Sequence, residues 1–184
     1  MAMDLQHAIL GLLSLQPMSG YDLGRAFAGS VAHFWHADRS QIYRTLARLE
    51  ERGAIETETI PQDGRPDRKL HSPTAAGEAE LREWLDSPLE PEQSKEPFLA
   101  RLFFAEQLGA DGVARLLEER RAQAEETLER LPAIEIQGSG LGHELRVATR
   151  QNGVHHARAE IAWLDELQDR LDLPTPFHDQ EQTP

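Results

Sequence analysis

The sequence predicts a mostly α-helical chain with one small β-hairpin, divided into two parts. Three observations predict it. Apolar residues recur at helical spacing through most of the 184 residues. One alternating β-rich run, I55-E-T-E-T-I60, leads into the turn P61-Q-D-G-R-P-D67, whose Asp63-Gly64 is a hairpin signal. A Pro- and Glu-rich stretch without periodicity, S87-P-L-E-P-E-Q-S-K-E-P97, separates the halves. The expected organisation is a first domain over 1–86, a linker over 87–97, a helical domain over 98–173 and a frayed polar tail over 174–184.

The first helix is expected over Leu5 to Leu15, with apolar positions 5, 8, 9, 12, 13 and 15, and Pro17 stops it. Ser19 N-caps a second helix with Asp22 in its first turn and Gly29 after its end. Tyr21, Leu23, Ala26 and Phe27 are expected to pack on the first helix, with Phe34 and Trp35 as anchors in the connection that follows. Asp38 and Gln41 form a D-x-x-Q capping box for a third helix, D38-R-S-Q-I-Y-R-T-L-A-R-L-E-E-R-G53. Ile42, Leu46 and Leu49 make its buried stripe and Gly53 its stop.

At 100° per residue, Ser40, Arg44, Ala47 and Glu51 lie opposite that stripe. Gln41 and Arg48 occupy one flank and Tyr43 the other, while Arg39 stands at the N-terminal end and Arg52 at the C-terminal end. Ser, Gln, Tyr and Arg suit phosphate oxygens and base edges. The plainer reading of this face is a solvated one, with Arg44 or Arg48 paired to Glu51 and worth little.

The hairpin changes that balance. Arg65, Arg68 and Lys69 cluster at its tip and return arm, a short second strand is expected at about Lys69 to Ser72, and Thr74 caps a helix through Leu81, Trp84 and Leu85. Helix, helix, polar-faced helix, basic-tipped hairpin, helix is the order of a winged helix-turn-helix. Its third helix enters a major groove and its wing reaches flanking phosphates or the minor groove. Glu56, Glu58 and Asp67 must then point away from the nucleic acid.

The second half reads as helices: a short one from Phe98 to Leu108, a longer one from Ala110 to Leu131, a flexible break over 132–142, and a last one from about His143 to Leu171. Val154, Ala157, Ile161, Leu164 and Leu171 follow an a/d seam, widened by Trp163 and Leu167. Long amphipathic helices need a partner for their faces, and a homodimer supplies one; the alternative is an intramolecular three-helix bundle. Phe98, Phe103, Phe104 and Trp163 are the aromatics available to line a pocket for a small apolar or aromatic effector, and plain core is the competing role.

Composition bounds the rest. Hydrophobic content is 39%, aromatic content only 6%, and there is no cysteine, which excludes disulfides, thiolate zinc sites and cysteine nucleophiles. The apolar run A8-I-L-G-L-L-S-L15 is too short to span a bilayer and has no signal-peptide flank, so a cytoplasmic protein without membrane contact is expected. Formal net charge is −13, divided as −4 over 1–86 and −9 over 87–184. An acidic surface repels DNA at long range, so contact needs a local basic patch; residues 36–71, with 7 basic and 7 acidic side chains, are neutral. G-x-x-x-x-G-K, G-x-S-x-G and H-E-x-x-H are all missing, and no acid/base pair is evident, so no enzyme and no cofactor are expected. His33 and His36, and His143 with His155 and His156, read as scattered surface histidines rather than metal ligands, although His36 lies near enough to the third helix to meet a phosphate.

The residues also match a family. Q41-I-Y-R-T-L-A-R-L-E-E-R-G-A-I55 resembles the recognition-helix signature of the PadR family of bacterial transcriptional regulators; G64-R-P-D-R-K69, T74-x-x-G77-x-x-x-L81 and L10-G-L-L…M18-S-G-Y-D-L23 are similar to its wing, following helix and N-terminal region. E96-P-F-L-A-R-L-F-F-A-E-Q-L108 and H156-A-R-A-E-I-A-W-L164 resemble the C-terminal helical domain of the longer, virulence-activator-like subgroup. The resemblance implies a homodimer held by the C-terminal helices, bound to a palindromic double-stranded DNA operator, and often repressing until a small molecule binds. His71-Ser72-Pro73 departs from the usual Tyr-x-Leu; Pro73 should shorten the strand and His71 should weaken packing beneath the wing. Two rival readings are a winged-helix protein-interaction module without DNA binding, motivated by the charge and the wing acids, and a metal-responsive regulator using the histidines.

Overall fold

The structure, a computed structural model, describes residues 4–29, 31, 34–35, 37–62, 64, 67–89 and 96–173. The element order is α1 (Leu5–Leu15), α2 (Gly20–Ala28), α3 (Arg39–Glu51), β1 (Ile55–Ile60), β2 (Arg68–Pro73), α4 (Ala75–Asp86), α5 (Pro97–Phe103), a one-turn 3₁₀ helix (Ala105–Leu108), α6 (Gly109–Arg130) and α7 (Gly140–Arg170). The chain forms two compact units, 1–92 and 93–184. Among the described residues no helix is long and apolar enough to cross a membrane. His33, His36, Asp63, Arg65, most of the expected linker and the expected tail lie outside the described residues.

In the first unit the helix boundaries follow local chemistry. The Ser19 hydroxyl accepts from the Asp22 N–H at α2, and Asp38 accepts from the Gln41 N–H at α3. Gly53, at φ +70, closes α3: its N–H donates to the Glu50 carbonyl, and the Ala54 N–H donates to the Leu49 carbonyl. This is the paired bonding of a Schellman stop, which needs a left-handed residue. Ile9, Leu10 and Leu13 of α1, Leu23 and Phe27 of α2, and Ile42, Leu46 and Leu49 of α3 form one buried core. Each such side chain contributes roughly 1.5–3 kcal/mol of burial. Tyr21, expected in that core, is instead exposed, and so is Phe34. Trp35 packs against the core from its edge.

β1 and β2 are antiparallel, in register from Ile55 opposite Pro73 to Ile60 opposite Arg68. β2 is therefore longer than expected: Pro73 sits inside it, at the end of the ladder, where a missing donor costs least. His71 is held by hydrogen bonds at the base of the wing. It is buried, its N–H and C=O exchange hydrogen bonds with Met18 at 2.9 and 3.2 Å, and its ring lies 2.9 Å from the Thr57 hydroxyl. The ring is thus held by Thr57 and the backbone of the same residue by Met18.

In the second unit, α6 and α7 pack along their length, with Leu117, Leu164 and Leu167 as the buried centre and Phe98 and Leu102 of α5 against it. Arg120 grips Glu160 with two hydrogen bonds at 2.8 and 3.0 Å, and Arg121 pairs with Asp165. The expected single helix from Phe98 to Leu108 is broken after Phe103 into a 3₁₀ turn. The expected flexible break before α7 is shorter and held down: Arg150 and Arg146 donate to the carbonyls of Ile134 and Gln137.

Candidate nucleic-acid interface

The outward side of α3 carries Ser40, Gln41, Tyr43, Arg44, Ala47 and Arg48, all exposed. It forms a ridge between two open hollows. One, of about 760 Å³, lies on the side of Trp35, Gln41 and Arg48; the other, of about 780 Å³, lies between the start of α2, Tyr43 and the wing residues Arg68 and Lys69. A ridge with a cleft on each side is the shape a helix must have to enter a groove while its neighbours straddle the backbone.

The side chains differ in how free they are. The Arg44 Nε donates to the Ser40 carbonyl at 3.3 Å, and Arg48 donates to the Thr45 hydroxyl at 3.2 Å. Among the described residues neither arginine has a carboxylate partner within 4 Å, so the pairing with Glu51 does not form. Ser40 donates to the Asp38 carboxylate at 2.7 Å, and the Gln41 side-chain oxygen accepts from the Asp38 N–H at 3.2 Å, which leaves the Gln41 amide nitrogen as an outward donor. The Ser40 hydroxyl, followed by the Gln41 N–H, holds the Asp38 carboxyl below its ordinary range. Arg39 lies 5.7 Å from the centre of the exposed Tyr21 ring, a cation–π contact at the N-terminal end of the ridge.

Arg52 is not part of this face. It pairs with Glu80 of α4 at 2.8 Å and touches Gln6 of α1. On the wing, Lys69 is exposed, while Arg68 pairs with Asp22 of α2 at 2.8 Å. Pleat alternation puts Lys69 on the sheet face of Thr59, Thr57 and His71, and puts Glu56 and Glu58 on the other face. Asp22 was legible in the sequence only as a first-turn acid; its partner 46 residues away was not.

Phe98, Phe103, Phe104 and Trp163 do not make one pocket. Phe98 and Trp163 meet edge to face at 6.2 Å, with the Arg120 guanidinium 5.4 Å from the Phe98 ring, beside a hollow of about 320 Å³. Phe103 and Phe104 form a separate pair, 82% and 69% exposed. Of the expected dimer seam, Ala157 and Leu164 are buried inside the chain, Val154 and Ile161 are half-buried, and Leu171 is exposed. Leu164 of the seam is thus covered by Leu117 of α6, while Leu171 stays open. Among the described residues, no group of three or more His, Asp or Glu stands close enough to hold a metal ion.

A buried helical trio, an arginine-bearing third helix presented as a ridge, and a hairpin beside it define a winged-helix DNA-binding protein. The comparisons narrow the class. The profile of the Transcriptional regulator PadR-like family matches residues 9–83, and that of the Virulence activator alpha C-term domain matches 94–172. The chain is 30% identical over 181 residues to the Negative transcriptional regulator PadR of Bacillus subtilis, spanning 91% of this chain and 97% of that one. It is 45% identical over 89 residues to the Probable transcriptional regulator Rv1176c of Mycobacterium tuberculosis, spanning 48% of this chain and 47% of that protein. The B. subtilis PadR structure in complex with operator DNA superposes with a TM-score of 0.78 at 27% identity, covering 91% and 99% of the two chains. The structure of the same protein with p-coumaric acid gives 0.70 at 26% identity, covering 91% and 98%. The chain belongs to the PadR-like family of transcriptional regulators, a family of regulators and not of enzymes.

Proposed function

We propose that this regulator is a sequence-specific repressor that binds a palindromic operator as a homodimer and is released by a small apolar or aromatic effector. The observation that carries the DNA reading is the pair Arg44 and Arg48: two guanidinium groups on the exposed ridge of α3, without a carboxylate partner among the described residues, in a chain of net charge −13. Guanidinium groups left unpaired on such a surface are matched to phosphates and to guanine edges. Ser40 and Gln41, in the first turn of α3, meet base edges, and Tyr43 meets the backbone on the wing side. Lys69, with Arg65 and Arg68, anchors the wing on flanking phosphates, and Arg39 adds charge where the helix enters the groove.

The exposed Leu99, Phe103, Phe104, Leu108, Leu141 and Leu145 supply apolar surface for a second copy. A two-fold dimer in turn calls for half-sites about 34 Å apart, one helical turn. Repression and effector release draw support from the B. subtilis relative, named a negative regulator and solved with operator DNA and with p-coumaric acid, a small aromatic acid.

Fluorescence anisotropy tests the reading. The probe is the duplex upstream of this protein's own gene, titrated at two salt concentrations beside a scrambled duplex. Tight binding to the upstream duplex alone, weakening with salt, is expected. Absence of binding to either duplex at low salt overturns it.

A further inference from the structure

We propose that Asp22 sets the DNA affinity of the wing: its carboxylate holds Arg68 in the free protein and gives it up to a backbone phosphate when DNA arrives. The inference rests on the DNA-binding reading above.

Three features of the pair carry it. First, one oxygen, Asp22 Oδ2, collects three donors: the Ser19 N–H at 3.2 Å, the Ser19 hydroxyl at 2.6 Å and Arg68 at 2.8 Å. An arginine, a hydroxyl and a helix-start N–H are the donors that a phosphate oxygen takes on a DNA-binding surface. Second, the exchange leaves nothing orphaned. When Arg68 turns away, the carboxylate keeps both Ser19 donors, and the side chains of the pair are 47% and 31% exposed, so water replaces the lost bond. Third, the location is right. Asp22, Arg68 and Lys69 line the same hollow as Tyr43 and Ala47, on the wing side of the α3 ridge. Arg52 and Glu80, the other arginine–carboxylate pair among the described residues of this unit, join the end of α3 to α4 and line neither hollow beside the ridge.

The carboxylate stays charged at neutral pH, because the Ser19 hydroxyl and then Arg68 hold its pKa below the ordinary value. It therefore cancels one wing cation until a phosphate outcompetes it. Because Arg68 moves to a backbone phosphate, the cost of opening the pair is the same on operator and on bulk DNA. The pair thus lowers the affinity of the wing for every duplex and leaves the preference among duplexes to α3.

The test is a two-by-two set: wild type, Asp22→Asn, Arg68→Gln and the double variant, each full-length. Anisotropy is read against operator and scrambled duplexes over a salt series, with a thermal melt of each variant. Asp22→Asn should bind both duplexes about twofold to fivefold more tightly, the range an exposed ion pair supports. The gain should be of the same size for both duplexes, and the salt slope should steepen by up to about one unit. In the Arg68→Gln background the same change should give no gain. Unchanged or weaker binding by Asp22→Asn overturns the proposal. So does a gain that persists without Arg68, which makes Asp22 one more bulk negative charge. Should Asp22→Asn lower the melting temperature through its place in the α2 cap, Asp22→Ser and Arg68→Gln decide: an Arg68→Gln protein that binds both duplexes with the wild-type slope also overturns it. A wild type that binds no duplex at all removes the DNA reading itself, a result separate from these.

Discussion

The α-carbon of Gly77 in α4 packs against the carbonyl oxygen of Ala54 at the foot of the wing: a methyl group on residue 77 would stand 2.1 Å from that oxygen. The same carbonyl accepts the Thr74 N–H at 3.0 Å, and the Thr74 hydroxyl donates to the Gly53 carbonyl at 2.7 Å. The end of α3, the start of β1 and the start of α4 thus meet at one close backbone contact. The obstacle to a larger residue is backbone, which cannot rotate aside. Gly77→Ala should cost about 1–3 kcal/mol or more through forced separation of α4 from the wing. Urea denaturation reads this as a lower midpoint at unchanged slope; a midpoint equal to wild type shows that the contact relaxes freely.

Thr74 holds the same junction from the other side, accepting the Gly77 N–H at 3.3 Å as the α4 cap. Thr74→Val keeps the shape and removes both hydroxyl bonds. A loss of about 0.5–2 kcal/mol is expected from the cap. Thr74→Ser, which keeps the hydroxyl, should recover most of it in the same denaturation assay.

Stability should fall on mild acidification. His7 is buried, stacked on Trp84 with ring centres 5.1 Å apart, and its Nε2 has no hydrogen-bond partner among the described residues. His71 is buried against the wing. Burial is the leading cause that lowers both pKa values from 6.5. A depressed folded pKa means that the unfolded chain binds more protons below pH 6.5. Stability is therefore full above that pH and declines as pH falls through the folded values. Denaturation at pH 7.5, 6.5 and 5.5 should show a falling midpoint. His7→Phe and His71→Gln should each flatten the fall; a profile that is flat in wild type rejects the assignment.

Arg48 and Arg52 lie one helical turn apart and should separate function from stability. Arg48→Ala should weaken operator binding and leave the melt nearly unchanged. Arg52→Ala removes the Glu80 pair, which is 42% and 22% exposed and worth at most about 1 kcal/mol after screening, and should leave DNA affinity alone. Arg44→Ala should relax sequence preference, whereas Lys69→Ala should weaken all duplexes alike and reduce the salt slope by about one unit. Wild-type operator binding by both Arg44→Ala and Lys69→Ala contradicts the assigned face.

In the second unit the two kinds of apolar residue should behave differently. Leu164→Ala empties a site that is 1% exposed and should cost about 2–5 kcal/mol in folding. Phe103→Glu changes a residue that is 82% exposed and should leave folding intact while shifting sedimentation toward the monomer. A dimer that survives Phe103→Glu together with Phe104→Glu places the interface elsewhere.

Elements whose causes are local are legible in the residues alone. Ser19, Asp38 and Thr74 are caps because short side-chain oxygens reach the orphan N–H groups of the next turn, and each starts the helix it was expected to start. Gly53 stops α3 because only a left-handed residue closes that turn. The stripe Ile42, Leu46 and Leu49 determined which side of α3 is buried, and so which arginines face outward. Tertiary structure decided everything that depends on a partner distant in the chain. Tyr21 has the apolar bulk of a core residue, yet Leu23 and Phe27 fill the space beneath α2, and the ring lies under Arg39 instead. Arg52 is set apart in the sequence only by its place at the end of α3, and Arg68 is legible there only as a wing cation; their partners Glu80 and Asp22 are placed beside them by the packing of α4 and α2. The α7 seam has the spacing of an interface between chains, but helical spacing says only that a face is apolar. Leu117 of the same chain covers Leu164, because α7 returns alongside α6, while Leu171 of the same seam stays exposed.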